Sequence, residues 1–156
     1  MDYLEFPRGY QEYVLNQIGL ALLLIVAAQT SVASDGIEGV WVTDDGDDLI
    51  EFRLQDEQPT GFIAGSISDP ERTEPARYDE HNPDPNLRER PLIGLAIFTD
   101  LRATRSNKWK GRVYDPNTGK TYKCKITLVD ANTLKVRGYL GISLLGRTQV
   151  WNRLAD

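Results

Sequence analysis

From residue 35 onward the chain is a succession of short alternating runs, a pattern that helices cannot satisfy. IEGVWVT, DLIEFRLQ, GFIAGSI, LIGLAIF, KWKGRVY, TYKCKITL, TLKVRGYL and RTQVWNR each carry the two-residue period of a strand. DDGDD, DEQPTG, DPNTG, VDANT and LGISLLG stand between them as turn signals. Together they predict one all-β domain over residues 35–156, a small antiparallel up-and-down barrel of about eight strands. A barrel of that size either fills its interior with side chains or encloses one modest ligand. The one long connection is the loop 68–90, SDPERTEPARYDEHNPDPNLRER, rich in proline and charge and without apolar rhythm. Loops this long inside compact domains are functional lids or disordered segments.

The GKT at Gly119–Thr121 raises the question of a phosphate loop. Such a loop needs a glycine five residues before its GK pair, where this chain has Tyr114, and it must lead into a helix. The next residues alternate instead: Tyr122, Cys124, Ile126 and Leu128 point one way, Lys123, Lys125 and Thr127 the other. Asp115-Pro116-Asn117-Thr118-Gly119 is therefore read as a hairpin turn.

Residues 1–34 differ from the rest. Ile18–Ala28 is an apolar run of eleven residues, followed by the small-residue stretch QTSVAS. As a helix it would rise about 16 Å, half the hydrocarbon thickness of a bilayer. A short apolar core with a small-residue exit predicts a signal peptide cleaved near Ala33 or Ser34, and hence a periplasmic protein. The preceding stretch is acidic (Asp2, Glu5 and Glu12 against Arg8) where a signal peptide is basic. Translation starting near Val14 or Leu15 would account for this; an attached amphipathic helix is the alternative. The single cysteine, Cys124, allows no internal disulfide.

Charge is segregated. The chain carries a net charge of −5, yet Asn107–Arg137 holds every lysine it has. Alternation puts Lys108, Lys110 and Arg112 on one face of their strand, Lys123 and Lys125 on one face of the next, and Lys135 and Arg137 on one face of a third. If these strands are neighbours, like charges crowd one outer face, an arrangement that costs stability. Such a face is either solvated and paired with the acidic loop, or a docking surface for an anionic partner. Envelope lipid or lipopolysaccharide fits it better than nucleic acid, because few aromatics share the face.

Residues that carry chemistry are sparse. His81 lies beside Asp79, Glu80 and Asp84, and an enzyme reading would have to use these groups. Asn82, Asp84 and Asn86 alternate like calcium ligands, but Leu87 stands where the loop needs glycine and Ile93 where it needs the closing glutamate. One histidine and one inward cysteine make a poor zinc set, so neither a metal nor a cofactor is expected. Trp41, Trp109 and Trp151 lie on separate strands with inward parity, and Arg147 and Arg153 flank Trp151. Either guanidinium can stack on an indole. With Tyr114 and Tyr122 these residues line an aromatic pocket, or else the tryptophans plug a barrel end.

Gly39-x-Trp41 in the first strand with an arginine in the last resembles the signature of the calycin superfamily, which includes the lipocalins; there the pair closes one end of the barrel. More specifically, the chain resembles a family of small exported bacterial proteins known as a conserved domain of unknown function. The matching blocks are GVWVT, HNPDPNLRERPLIGL, WKGRVYDPNTGKTY and TLKVRGYLGISLLGRTQVWNR, spread over residues 36–153. The resemblance implies a lipocalin-like barrel and export, and no established activity. Relatives carry a cysteine pair around the second and third strands, which EFRLQDEQPTGFIAG lacks, so no redox role carries over. Within the matching blocks, Asn82, Arg90, Tyr114 and Asp115 are the polar residues expected to tie the long loop to the barrel mouth. The expected function is that of a periplasmic, non-enzymatic binding or accessory protein holding a small apolar or amphipathic ligand. The alternative is a filled barrel that docks on anionic envelope material.

Overall fold

The computed structural model describes residues 36–71, 76–141 and 146–155; the expected signal peptide and its cleavage point lie outside them. Eight antiparallel strands succeed one another: β1 (Gly39–Val42), β2 (Asp48–Gln55), β3 (Gln58–Ser66), β4 (Ala96–Arg105), β5 (Lys108–Asp115), β6 (Lys120–Asp130), β7 (Thr133–Tyr139) and β8 (Arg147–Arg153). Each pairs with its neighbour in sequence, and β8 returns to β1, so the sheet closes into the expected up-and-down barrel. The closing seam is short, Trp41 opposite Arg153 and Val42 opposite Asn152.

β4 departs most from the sequence pattern. LIGLAIF predicts a strand over 92–98, whereas pairing begins at Ala96 and runs on to Arg105. Leu92–Leu95 instead turns into the strand, with Leu95 N–H donating to Leu92 O and Gly94 N–H to Ile63 O. The register against β5 shifts between Thr99 and Arg102 and again between Ala103 and Arg105, and Asp100 takes a φ of 54°. Each bulge adds an unpaired residue and breaks the two-residue period that makes a strand visible in sequence. The β2–β3 turn is also tighter than DEQPTG suggests. It is only Asp56-Glu57, both at positive φ as a two-residue hairpin requires.

Inward-facing residues of all eight strands except β3 and β5 supply the fully buried core, in which Trp41, Phe52, Phe98, Ile126, Leu134 and Trp151 pack together. Phe98 sits between Phe52 (centroids 5.2 Å) and Trp151 (5.6 Å, edge-on), geometries that aromatic pairs favour. Cys124 belongs to this core, and burial pushes its thiol pKa up to about 12, so it is inert at neutral pH. One barrel end carries the β2–β3, β4–β5 and β6–β7 hairpins. The other, the mouth, carries the remaining connections, including the long one between β3 and β4.

Candidate functional site

The closed end is sealed by Arg153. Its guanidinium lies 4.2 Å from the Trp41 ring centre and donates to three carbonyls: Nε to Ala131 (2.6 Å), Nη1 to Glu38 (2.5 Å) and Nη2 to Gly36 (3.1 Å). The Trp41 indole N–H donates to Ile37 O at 2.8 Å. Gly39 explains the spacing: it has a φ of 118°, and a Cβ there would run into Arg153 Nη1. Arg147 takes no such place. It is exposed and sits 3.8 Å from Asp44, an ion pair worth little in water. Trp41 and Trp151 are thus core residues at and above the sealed end, while Trp109 is half-buried in the wall.

Across the barrel, the loop is locked to the outer wall through one carboxylate. Asp79 is inaccessible to solvent and accepts from Tyr114 Oη (2.6 Å), Asn82 Nδ2 (2.7 Å) and Arg90 Nε (2.9 Å), with Arg90 Nη2 at 2.7 Å. Burial by itself would raise the Asp79 pKa; the hydrogen bonds from Tyr114, Asn82 and Arg90 outweigh it and hold the carboxyl below its ordinary value. Burial, and then the same carboxylate, push the Tyr114 phenol up. Tyr78 bridges Pro91, Asp79 N–H donates to Arg90 O and Leu92 N–H to Arg77 O, so residues 77–92 form a closed unit. Asp84 caps the short 3-10 turn Pro85–Leu87 inside it. The loop backbone also presses on the β5–β6 hairpin, where Gly119 (φ 66°) has no room for a Cβ against His81 O. Asp115 stays within that hairpin, accepting from Asn117 N–H and Thr118 Oγ1. Asn82, Arg90 and Tyr114 therefore meet in one cluster, and Asp115 braces its own turn. His81 is exposed, and among the described residues no three metal-ligating side chains converge.

The mouth holds a cavity of about 190 Å³. Ile50, Ile63 and Ile97 form its floor; Leu92, Ile93 and Arg77 of the loop close one side; Asp47 and Asp48 stand at the rim with Asn117 opposite. Asp48 precedes Ile50 and Phe52 by two and four residues, so the alternation of β2 turns its side chain inward. Burial, and next the charge of Asp45, raise its pKa, while hydrogen bonds from Ser66 and Ser68 hold Asp47 low. Neither Trp41, Trp109, Trp151 nor Tyr122 lines this cavity. Sequence reading missed Asp48, although its signal was present in the parity of DLIEFRLQ.

The outer wall of β4–β7 carries the cations. Lys110 is opposite Lys125, Lys125 opposite Arg137, and on the other side Lys110 is opposite Arg102. Arg112 pairs with Lys123, and Lys135 lies one register step beyond Lys125–Arg137. Arg112 has Asp100 at 3.5 Å, Lys125 lies over the Tyr139 ring, and Arg137 donates to Thr148. Arg102 and Arg105 join this face only because of the β4 bulges, which hid them from pattern reading.

A family model described as "Uncharacterized protein conserved in bacteria (DUF2147)" matches residues 39–153, from the first residue of the barrel to the last. The chain belongs to that family. No curated protein matches it. Among solved structures it is similar to protein HP1028 from the human pathogen Helicobacter pylori, described as belonging to the lipocalin family. The identity is 23%, the TM-score 0.70, and the likeness covers 79% of this chain and 86% of that one. The likeness establishes a lipocalin-like barrel. Within the DUF2147 match lie the Gly39–Trp41–Arg153 seal, the Asp79 lock and the floor of the mouth cavity.

Proposed function

We propose that this DUF2147 protein is an exported, periplasmic, non-enzymatic binding protein whose barrel mouth holds one small amphipathic ligand. The mouth cavity is the observation that carries the reading. At about 190 Å³ it is below the roughly 300–1,000 Å³ of drug-sized sites and has room for about six waters. Its isoleucine floor suits a short apolar body. Its rim suits a positively charged or N–H-donating head, since three carboxylates, Asp47, Asp48 and Asp69, line the cavity against the single cation Arg77, and Asp48 faces inward.

Short primary alkylamines are the probes, with alkanoates of equal length as the control. By calorimetry, hexylamine is expected to bind and hexanoate not to. Asp48→Asn should weaken hexylamine by at least about tenfold, the loss of one charge-assisted hydrogen bond. The same variant should melt at a higher temperature at neutral pH. The sign comes from the raised pKa: the native state pays for ionised Asp48 at any pH above that pKa, and the amide removes the charge. Equal affinity for hexanoate, or unchanged hexylamine binding by Asp48→Asn, overturns the amphipathic-amine reading. Export is tested separately by the intact mass of the protein recovered from the periplasm, which should begin next to Ala33 or Ser34.

A further inference from the structure

The cation ladder on the outer wall is unrelated to the mouth and unfavourable for folding. Arg102, Lys110, Lys125 and Arg137 stand in one row across β4, β5, β6 and β7 as successive cross-strand neighbours. With strands about 4.8 Å apart the row is about 14 Å long, and directly opposed like charges destabilise a sheet. Lys108, Lys110 and Arg112 extend it along β5 by about 7 Å per step. The array is two-dimensional, which matches a surface of anions better than a single polyanion strand. A groove of about 430 Å³ opens within it, lined by Arg105, Lys108, Lys110 and Lys125 with the half-buried Trp109. Four cations around one groove suit a phosphate head group, while Trp109, which alternates with Lys108 and Lys110 on β5 and packs against the core, borders it from the inner side. The rest of the barrel is opposite in sign: residues 36–66 carry eight acidic groups against Arg53, whereas residues 96–139 carry ten basic against three acidic. Near an anionic plane this polarity turns the β4–β7 wall toward the surface and the acidic strands away from it.

We infer that the outer face of β4–β7 docks on a bilayer of anionic phospholipid, with the groove beside Trp109 receiving a head group. The loop lock sits at the mouth end of the same wall, at Tyr114, and leaves the Arg102–Arg137 row to the surface. Juxtaposed basic residues attract anionic membranes additively, so a row of four with its flanks suffices for salt-sensitive adsorption.

The test is co-sedimentation of the protein with vesicles of phosphatidylcholine, with and without phosphatidylglycerol. Binding is expected only with phosphatidylglycerol and should fall steeply as salt is raised. The Lys110→Glu/Lys125→Glu variant should lose at least about tenfold in vesicle affinity. Its melting temperature should not fall, because it relieves repulsion from Arg102 and Arg137. Arg53→Glu, on the acidic side, should bind as the parent does. Lys110→Gln/Lys125→Gln should lose vesicle affinity as well, without added charge. Equal binding to neutral vesicles, salt-insensitive binding, or full binding by either double variant overturns the inference. So does a salt-sensitive self-association of the chain without vesicle binding, or a DNA duplex bound as tightly as the vesicles.

Discussion

Arg153→Met is expected to cost the barrel about 3–4 kcal/mol in denaturant unfolding, the largest loss available from a single side chain outside the apolar core. Three carbonyls, of Gly36, Glu38 and Ala131, take their hydrogen bonds from this guanidinium, and its face covers Trp41. Hydrogen bonds to charged groups contribute about 1.5–3 kcal/mol each, but the three share one side chain and the freed carbonyls reach water, so the sum is not additive. The seam depends on it as well: β1 and β8 exchange only two register pairs, and Arg153 ties β8 to the chain entering β1 and to the β6–β7 turn. Arg153→Lys should recover less than half of the loss, because an ammonium cannot fork to three carbonyls while lying flat on an indole. Gly39→Ala should act through the same contact, since its Cβ displaces Nη1 and strains a φ of 118°. In the Gly39→Ala/Arg153→Met double variant the two losses should therefore fall clearly short of adding. Strict additivity would mean that the glycine acts through its own backbone alone.

Much of this architecture was legible because barrel strands alternate. The inward parity of Trp41, Cys124, Ile126 and Trp151 and the outward parity of seven cations come from a period of two, and the structure places them so. Which arginine meets a tryptophan was not legible. Arg153 covers Trp41 rather than the neighbouring Trp151 because barrel closure brings β8 to β1, a pairing that no local pattern encodes. β4 was misplaced because two bulges and a left-handed Asp100 interrupt its period, and Arg102 and Arg105 were lost with it. The mouth was half legible. The parity of DLIEFRLQ points Asp48 inward, but only the loop residues Arg77, Leu92 and Ile93 turn that position into a cavity. A loop of polar residues gives no periodic signal, so its folded unit over 77–92 could be found only through its partners on β5 and the β5–β6 hairpin.

That unit rests on Asp79, and Asp79→Ala is expected to release it while the barrel stays closed. Removing the carboxylate leaves the Arg90 guanidinium, the Tyr114 hydroxyl and the Asn82 amide without their common acceptor. Breaking a buried pair costs about 3–5 kcal/mol; Arg90 keeps a third of its side chain in water, so about 3 kcal/mol is the expected figure. The loss should be local. Amide exchange should lose protection at Asp79, Asn82, Arg90 and Leu92, whose N–H groups bond within the unit, and keep it in β5–β7. Asp79→Asn should be milder than Asp79→Ala, since its amide oxygen can take the Oδ2 place facing Asn82 and Arg90 while its NH2 turns to the Tyr114 hydroxyl, which can accept; what it loses is the charge that pairs with Arg90. The pH dependence carries the opposite sign to that of Asp48. The folded pKa of Asp79 is lowered, so its stabilisation is complete above the ordinary aspartate pKa of 3.8 and disappears as pH falls through the lowered value. Acidification should thus free the loop in the parent protein and change nothing further in Asp79→Ala. Because Arg77, Leu92 and Ile93 wall the cavity, hexylamine affinity should fall with loop release even though none of the lock residues touches the cavity. Full protection of residues 77–92 in Asp79→Ala would show that the loop is held by packing on Gly119 and the β5–β6 hairpin rather than by this carboxylate.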